Sequence, residues 1–598
     1  MFGDGVKADV AASAPFFKEA ADKGHKEGLF YTGFCYQIGQ GYKQDMKEAM
    51  KYIKMSADKG YPEACTIYAT FLASGQGTDK NLELSAEYYK KAAELDDING
   101  LYLYALALYN GNGTKVNKAE AAKYALKAAE QKHADAQAMY GMMNYIGDGI
   151  PKNLKEASRF FGLAAAQNNP QACYYFAVVL LKGEGVERDE KDGYRFMRKS
   201  ADLDFVPAIH KVATMLYNGV GCEKDEAKAA EYFKKSADHN IVESMVAYGI
   251  MAMNGIGTKQ SEEEAEKYLK KAAEEHKTID AYVSYSQYLE KINKMEESSK
   301  YLKLAADAGD AESQYLYTRF AVDATEKEKY LKMAADKNYP MALNDYAVTI
   351  MSKDKTEGAK LFKKAADLNN NGACFNYALL LYSGNGVEKN MKEALNYMKK
   401  AADDRHFEAM FQYANWLYLG IDGKKNLEES TKYFKMAADL GHASSQFRLG
   451  AHYLQGIGTK VDTKKGIEYI KMAAEQNYTD AIVAYAEFLK DGQFVTKDEK
   501  EAAKLFKKAC DLGSVQAMAN YGYFLQNGIG VEKSIEEAAK IYKKGADLGD
   551  AVCQYNIAIL YAAGEGVKQN EEEAIKYMKK SAESGFELAV NAMKSVNQ

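Results

Sequence analysis

The chain has 598 residues, 47% of them apolar and 27% charged, enough apolar surface for a large core. Its 79 basic and 84 acidic residues leave a net charge of −5, which excludes a strong electrostatic drive towards nucleic acid or an anionic membrane. Seven scattered Cys form no CxxC pair, which excludes a disulfide framework and a zinc-finger spacing.

In chain order, the first residues carry no basic region followed by an apolar run, so they do not read as a signal peptide. Gly3-Asp4-Gly5 reads as a loop leading into a helix, so the N-terminus is expected to be truncated or covered by something beyond it. Gly-x-Gly then recurs at Gly39, Gly75, Gly111, Gly147, Gly183, Gly219 and Gly255, always 36 residues apart. An aromatic residue follows the same period from Phe16 and Tyr52 to Tyr268. A fixed period of this length means stacked repeats rather than separate globular domains.

Each repeat reads as two helices. Helix A, as in PEACTIYATFLASG, has apolar residues at helical spacing and ends on a Gly suited to a left-handed cap. Helix B opens behind Asp45, Asn81, Asn117, Asn153, Asp189, Asp225, Asn390, Asn426 or Asn570, which are N-cap types. An acid three residues later, such as Glu48 or Glu393, completes a capping-box-like pattern. One helix-A position is small in every repeat, from Gly33, Ala69 and Ala105 to Ala558, and helix B answers with Ala57, Ala93 or Ala129. Small residues at facing positions permit close helix approach.

Around residues 281–360 the spacing shortens, Gly-x-Gly is lost and the loops shrink to EKINKMEE, AVDATEKEK and MSKDKTEG. These short-loop repeats are expected to separate a block at 1–280 from one at 361–598, where the 36-residue period resumes. The chain closes on a lone helix A, Leu588 to Gln598, with Lys594 at the small position, as suits a solvating cap.

Ala373 to Gly386, then Val387, Lys389, Asn390, Glu393, Ala394, Tyr397 and Ala401-Ala402, resemble the Sel-1-like repeat, a relative of the tetratricopeptide repeat. The resemblance covers essentially the whole chain. It implies an all-α, right-handed superhelical solenoid of antiparallel helix pairs with helix A lining the concave face. It also implies an adaptor that assembles complexes. Some members serve ubiquitin-dependent quality control at the endoplasmic reticulum, and some secreted bacterial members resemble penicillin-binding enzymes.

Candidate chemistry is weak beside this architecture. Gly-x-Gly lacks the preceding strand and the longer motif of a phosphate loop. Ser56–Lys59 and Ser352–Lys355 match Ser-x-x-Lys without any supporting motif, and no repeat holds the paired Cys of the secreted relatives. The eight His form no i,i+4 pair, and His25 and His442 read as turn residues. Glu262–Glu264 and Glu571–Glu573 open helix B, where acids suit the helix dipole. No catalytic residue, metal or cofactor is expected.

The remaining signal is the helix-A position three residues before the small one, where half the residues are aromatic. It reads either as rings packed between neighbouring helices or as an aromatic-lined groove. In the C-terminal block Phe375, Phe411, Phe447 and Tyr555 stand there, followed by Asn376, Gln412, Arg448, Asn520 and Asn556, interrupted by Ala484. Asn and Gln offer a donor and an acceptor, so such a row suits a peptide backbone. The N-terminal block has Tyr31, Ile67, Leu103, Met139 and Tyr175 instead, a more apolar surface. The expected function is a non-catalytic scaffold that binds a protein or peptide partner. Nucleic acid is not expected as a partner, and no stretch is long and apolar enough to span a membrane. The expected compartment is the cytoplasm, or the endoplasmic reticulum if a leader precedes this chain.

Overall fold

The computed structural model describes residues 9–596, so Gly3-Asp4-Gly5 and the last two residues of the expected closing helix lie outside the described residues. It contains thirty-four α-helices, one π-helical turn and no strand among those residues. The chain divides into two compact units, the first closing at Ala308 and the second opening at Gly309. Each is an α-solenoid, a stack of antiparallel helix pairs in which helices A and B are mostly 13 residues long. The junction falls inside the expected short-loop segment. There the helices Ala311–Tyr317 and Pro340–Ile350 are shorter than the rest.

The small helix-A position is buried wherever it occurs, with Ala69, Ala378 and Ala558 fully covered. Close approach leaves room for direct hydrogen bonds between paired helices. Ser85 Oγ donates to Ala69 O at 2.7 Å, and Ser430 Oγ to Ala414 O at 2.8 Å. Replacing Ala378 with Leu should overpack its pair and cost ~1–3 kcal/mol. Solenoid contacts run only between neighbours, so faster hydrogen exchange should be confined to residues near 360–410. An unchanged exchange map would show that this position does not set the helix spacing.

The N-caps form as expected. Asn81 Oδ1 accepts from Leu84 N at 2.9 Å, and Asn117 Oδ1 from Glu120 N at 3.1 Å. The capping box departs from the expected form. The Asn117 backbone N–H is already bonded to Leu108 O at 2.9 Å, at the end of the preceding helix. Glu120 therefore accepts from the Asn117 side-chain amide at 2.8 Å, and Glu429 does the same with Asn426.

The two glycines of the loop do different jobs. Gly111 caps helix A in the left-handed conformation, its N–H donating to Ala107 O. Gly113 is also left-handed, but it presses on the previous repeat: a Cβ there would sit 1.8 Å from Leu82 O, at the start of the preceding helix B. The second glycine thus serves close packing between repeats.

Repeats are further joined through tyrosines of helix B. Tyr88 on helix B meets Tyr68 of its own helix A edge-on, with centroids 4.7 Å apart. Its hydroxyl donates to Asp58, the last residue of the previous helix B, at 2.5 Å. Tyr268 with Asp238, Tyr397 with Asp367 and Tyr577 with Asp547 repeat this clamp, each at 2.6 Å. Burial, and after it the hydrogen bond to Asp367, pushes the Tyr397 pKa up to about 12.

One irregularity marks the end of the regular period. Asp96, Lys132, Asn168, Asp204 and Asn240 take the left-handed turn position 36 residues apart, but the next is Lys277, 37 residues after Asn240. The extra residue is absorbed in the π-helical turn Ala272–His276.

Candidate functional site

The expected aromatic row lies between neighbouring helices A. Each ring packs against the residue that caps the next helix A. Phe375 stacks on His406 at 5.1 Å, Phe411 meets His442 at 5.1 Å, Phe447 meets Tyr478 at 5.6 Å and Tyr555 meets Phe586 at 5.3 Å. Phe30 with Tyr61 and Tyr102 with His133 do the same in the first unit. The rings are therefore half-buried or buried, Phe30 being only 8% exposed, and they form the floor of the helix-A face rather than free pockets.

The polar row stands beside this floor. Asn376, Gln412, Asn520 and Asn556 are half-buried, and Arg448 is exposed. Asn376 Nδ2 donates to Asn344 Oδ1 at 3.2 Å, and Asn520 Nδ2 to Gln516 O at 3.3 Å. These side chains stand at equivalent positions of their helices A, with Ala484 breaking the row in the helix Thr479–Asp491. In the first unit Tyr31, Ile67, Leu103, Met139 and Tyr175 stand at the equivalent position, and a cleft there of about 220 Å³ is lined by Tyr102, Leu106, Met139 and Met142 together with Asn110, Asp135 and Gln171.

The histidines have a role that composition did not show. His133 and His406 cap helix A through Nδ1, which accepts from Ala136 N at 3.2 Å and Ala409 N at 3.1 Å. An accepting Nδ1 requires a neutral ring with its proton on Nε2. Burial pulls His133 and His442 below the usual imidazole range. His452 is 4% exposed and is pulled down to about 4, chiefly by burial and then by the Arg448 guanidinium.

Of the two Ser-x-x-Lys serines, Ser352 is exposed and donates from Oγ to Thr349 O at 3.2 Å. Ser56 is fully buried and donates from Oγ to Lys26 O at 2.7 Å. Burial pushes Cys65 up to about 11 and Cys510 up to about 12, far from a reactive thiolate. Among the described residues no group of His, Cys, Asp and Glu converges on a metal position, and no helix is long and apolar enough to cross a membrane.

Open clefts also lie on the helix-B side, which periodicity did not reveal. One of about 680 Å³ involves Asn396, Lys399 and Asp422, one of about 780 Å³ involves Glu87, Lys90 and Lys115, and one of about 800 Å³ involves Arg195, Arg198 and Cys222.

The Sel1 repeat model matches fifteen segments, from residues 1–25 to 551–586, leaving 277–348 unmatched. Among solved structures, a protective antigen of uropathogenic Escherichia coli with an SLR fold is 22% identical. The match covers 91% of this chain and 97% of that one, with a TM-score of 0.34. A Sel1 repeat protein from Oxalobacter formigenes is 24% identical over 50% of this chain and 89% of its own, with a TM-score of 0.44. Cysteine rich protein B of Helicobacter pylori is 29% identical over 22% of this chain and 95% of its own, with a TM-score of 0.19. No curated protein matches. Sel1 repeat solenoids generally mediate protein–protein interaction and are typically non-catalytic. With family segments spread along both solenoid units, the chain belongs to the Sel1 repeat family.

Proposed function

We propose that this chain is a non-catalytic scaffold that holds an extended peptide segment of a protein partner along residues 373–559. The observation that supports this reading is the polar row of the second unit. Gln412, Arg448 and Asn556 make no side-chain hydrogen bond within the described residues, yet they share one helix-A face with Asn376 and Asn520. Amide side chains spaced one per repeat can donate to and accept from a peptide backbone without reading its sequence. Phe375, Phe411, Phe447 and Tyr555 beneath them supply apolar contact. We also place the chain in the cytoplasm, a reading supported by its seven free thiols.

The test uses a partner recovered on the tagged full chain. The triple variant Asn376→Ala/Gln412→Ala/Arg448→Ala should keep the wild-type melting temperature and bind about tenfold more weakly or worse, since two or three hydrogen bonds are lost. Wild-type affinity in a folded triple variant would remove this surface from consideration.

A further inference from the structure

We infer that the helix-B side of the first unit carries a binding site for paired carboxylates, supplied by an acidic segment of a protein partner. Neighbouring repeats serve as internal controls. Helix B ends on a carboxylate at Asp58, Glu94, Glu130, Asp202 and Asp238, but on Ala166 in the helix Leu154–Ala166. The clamp tyrosine is absent opposite it. Phe196, on the helix Glu190–Asp202, stands where Tyr232 stands one repeat later.

The second position holds a carboxylate in some repeats, Asp96 and Asp204, and none in others, Gly60, Lys132, Asn240 and here Asn168. In the following repeat Asp202 accepts from Tyr232 Oη at 3.1 Å, and Asp204 pairs with Lys235 at 2.7 Å. The positions matching Asp202, Asp204 and Lys235 hold Ala166, Asn168 and Lys199. Lys199 Nζ donates to Ala165 O at 2.8 Å, as Lys91 does to Ala57 O at 2.6 Å, and it has no carboxylate at either matching position.

Arginine takes the place of lysine beside these positions: Arg198 stands where Lys90 and Lys234 stand in other repeats, and Arg195 where Lys123 stands. The chain has only seven arginines, and four of them, Arg159, Arg188, Arg195 and Arg198, fall within two successive repeats here. Lys191, Arg195, Arg198 and Lys199 line a cleft of about 800 Å³ together with Asp192 and Asp202, and Leu203 and Cys222 lie at it too. The Arg195 guanidinium lies 4.7 Å from the centre of the Phe196 ring, which holds it in place. Arg195 and Arg198 pair locally with Asp192 at 3.2 Å and Asp202 at 3.7 Å. Both are exposed pairs of the kind worth under ~1 kcal/mol, so the forks can turn to a ligand. Leu203, 39% exposed, offers an apolar contact in the same cleft. The matching site therefore has two carboxylates flanking one apolar side chain.

The probe is a short fluorescein-labelled peptide with paired glutamates flanking a leucine, tested on the full chain beside its glutamine counterpart. The glutamate peptide should bind in a salt-sensitive manner and the glutamine peptide should not. Arg195→Ala/Arg198→Ala should weaken binding at least about tenfold, while Lys90→Ala/Lys115→Ala in the corresponding cleft of another repeat should leave it unchanged. Ala166→Asp/Asn168→Asp restores the two missing carboxylates and should abolish binding with the fold intact. Bound peptide should also slow alkylation of Cys222, the one cysteine that is not buried. Absence of binding, equal binding of both peptides, wild-type affinity in Ala166→Asp/Asn168→Asp or undiminished alkylation of Cys222 would each overturn the site.

Discussion

Replacing Gly113 with alanine should destabilise the first unit by about 3 kcal/mol, of which roughly 1 kcal/mol is left-handed strain and the remainder overpacking. The φ of Gly113 is +73°, and its added Cβ would lie 1.8 Å from Leu82 O and 2.3 Å from Leu82 C. Those are backbone atoms at the start of a helix, so no side-chain rotation can relieve the contact. Gly60 provides the control. Its φ is +74°, but nothing lies within 4 Å of an added Cβ. Gly60→Ala should therefore cost only the strain, about 1 kcal/mol. The measurement is hydrogen exchange in the two repeats around each site, because a solenoid opens locally and a single unfolding energy does not describe it. Equal losses at Gly113 and Gly60 would show that the loop does not press on the preceding repeat.

Acidification should loosen the second unit as His452 becomes protonated. Thr431 Oγ1 donates to Ile457 O at 2.8 Å, so it accepts from His452 Nδ1–H at 2.7 Å. The ring is enclosed by Phe434 and Tyr418, at 5.2 and 5.5 Å, and it sits there neutral. The folded pKa is about 4 against an ordinary value of 6.5. Between those values the unfolded chain binds a proton that the folded chain does not, so stability rises with pH across this window. The contribution is complete above about pH 6.5 and is lost as pH falls towards about 4, up to about 3 kcal/mol in all. His442, also pulled down by burial, adds in the same direction. His452→Asn removes the titration, so the difference in local hydrogen-exchange protection between about pH 7 and pH 5 should shrink by most of this amount. An unchanged pH slope in the variant would assign the acid sensitivity to other groups.

The repeat architecture was legible because it rests on short-range physics. Helix periodicity, a side-chain oxygen at Asn81 or Asn117 capping the next turn and a glycine at Gly111 ending the last one all act within a few residues. A 36-residue period repeats the message along the chain, so Ala378 could be recognised as a packing position without a structure. The candidate row Asn376, Gln412, Arg448, Asn520 and Asn556 was legible for the same reason, since equivalent phase in equal repeats places residues on equivalent faces.

What only the tertiary structure decided are contacts about thirty residues apart, between one repeat and the next. Phe375 looks outward when a helix is considered alone, but the cap of the following helix A, His406, covers it. Gly113 looks like a turn residue until the carbonyl of Leu82 arrives beneath it. The irregular interval before Lys277 changes no residue type, and only the backbone shows that a π turn absorbs it. Ala166 and Asn168 are ordinary residues in their own helix and turn. Their meaning comes from Lys199 and Arg195 on the next helix B, cations for which the fold provides no carboxylate at those two positions. Local sequence determines where each helix begins, ends and turns its small face; which polar and charged groups are left without partners is decided only when neighbouring repeats stack, because the partner belongs to a different repeat.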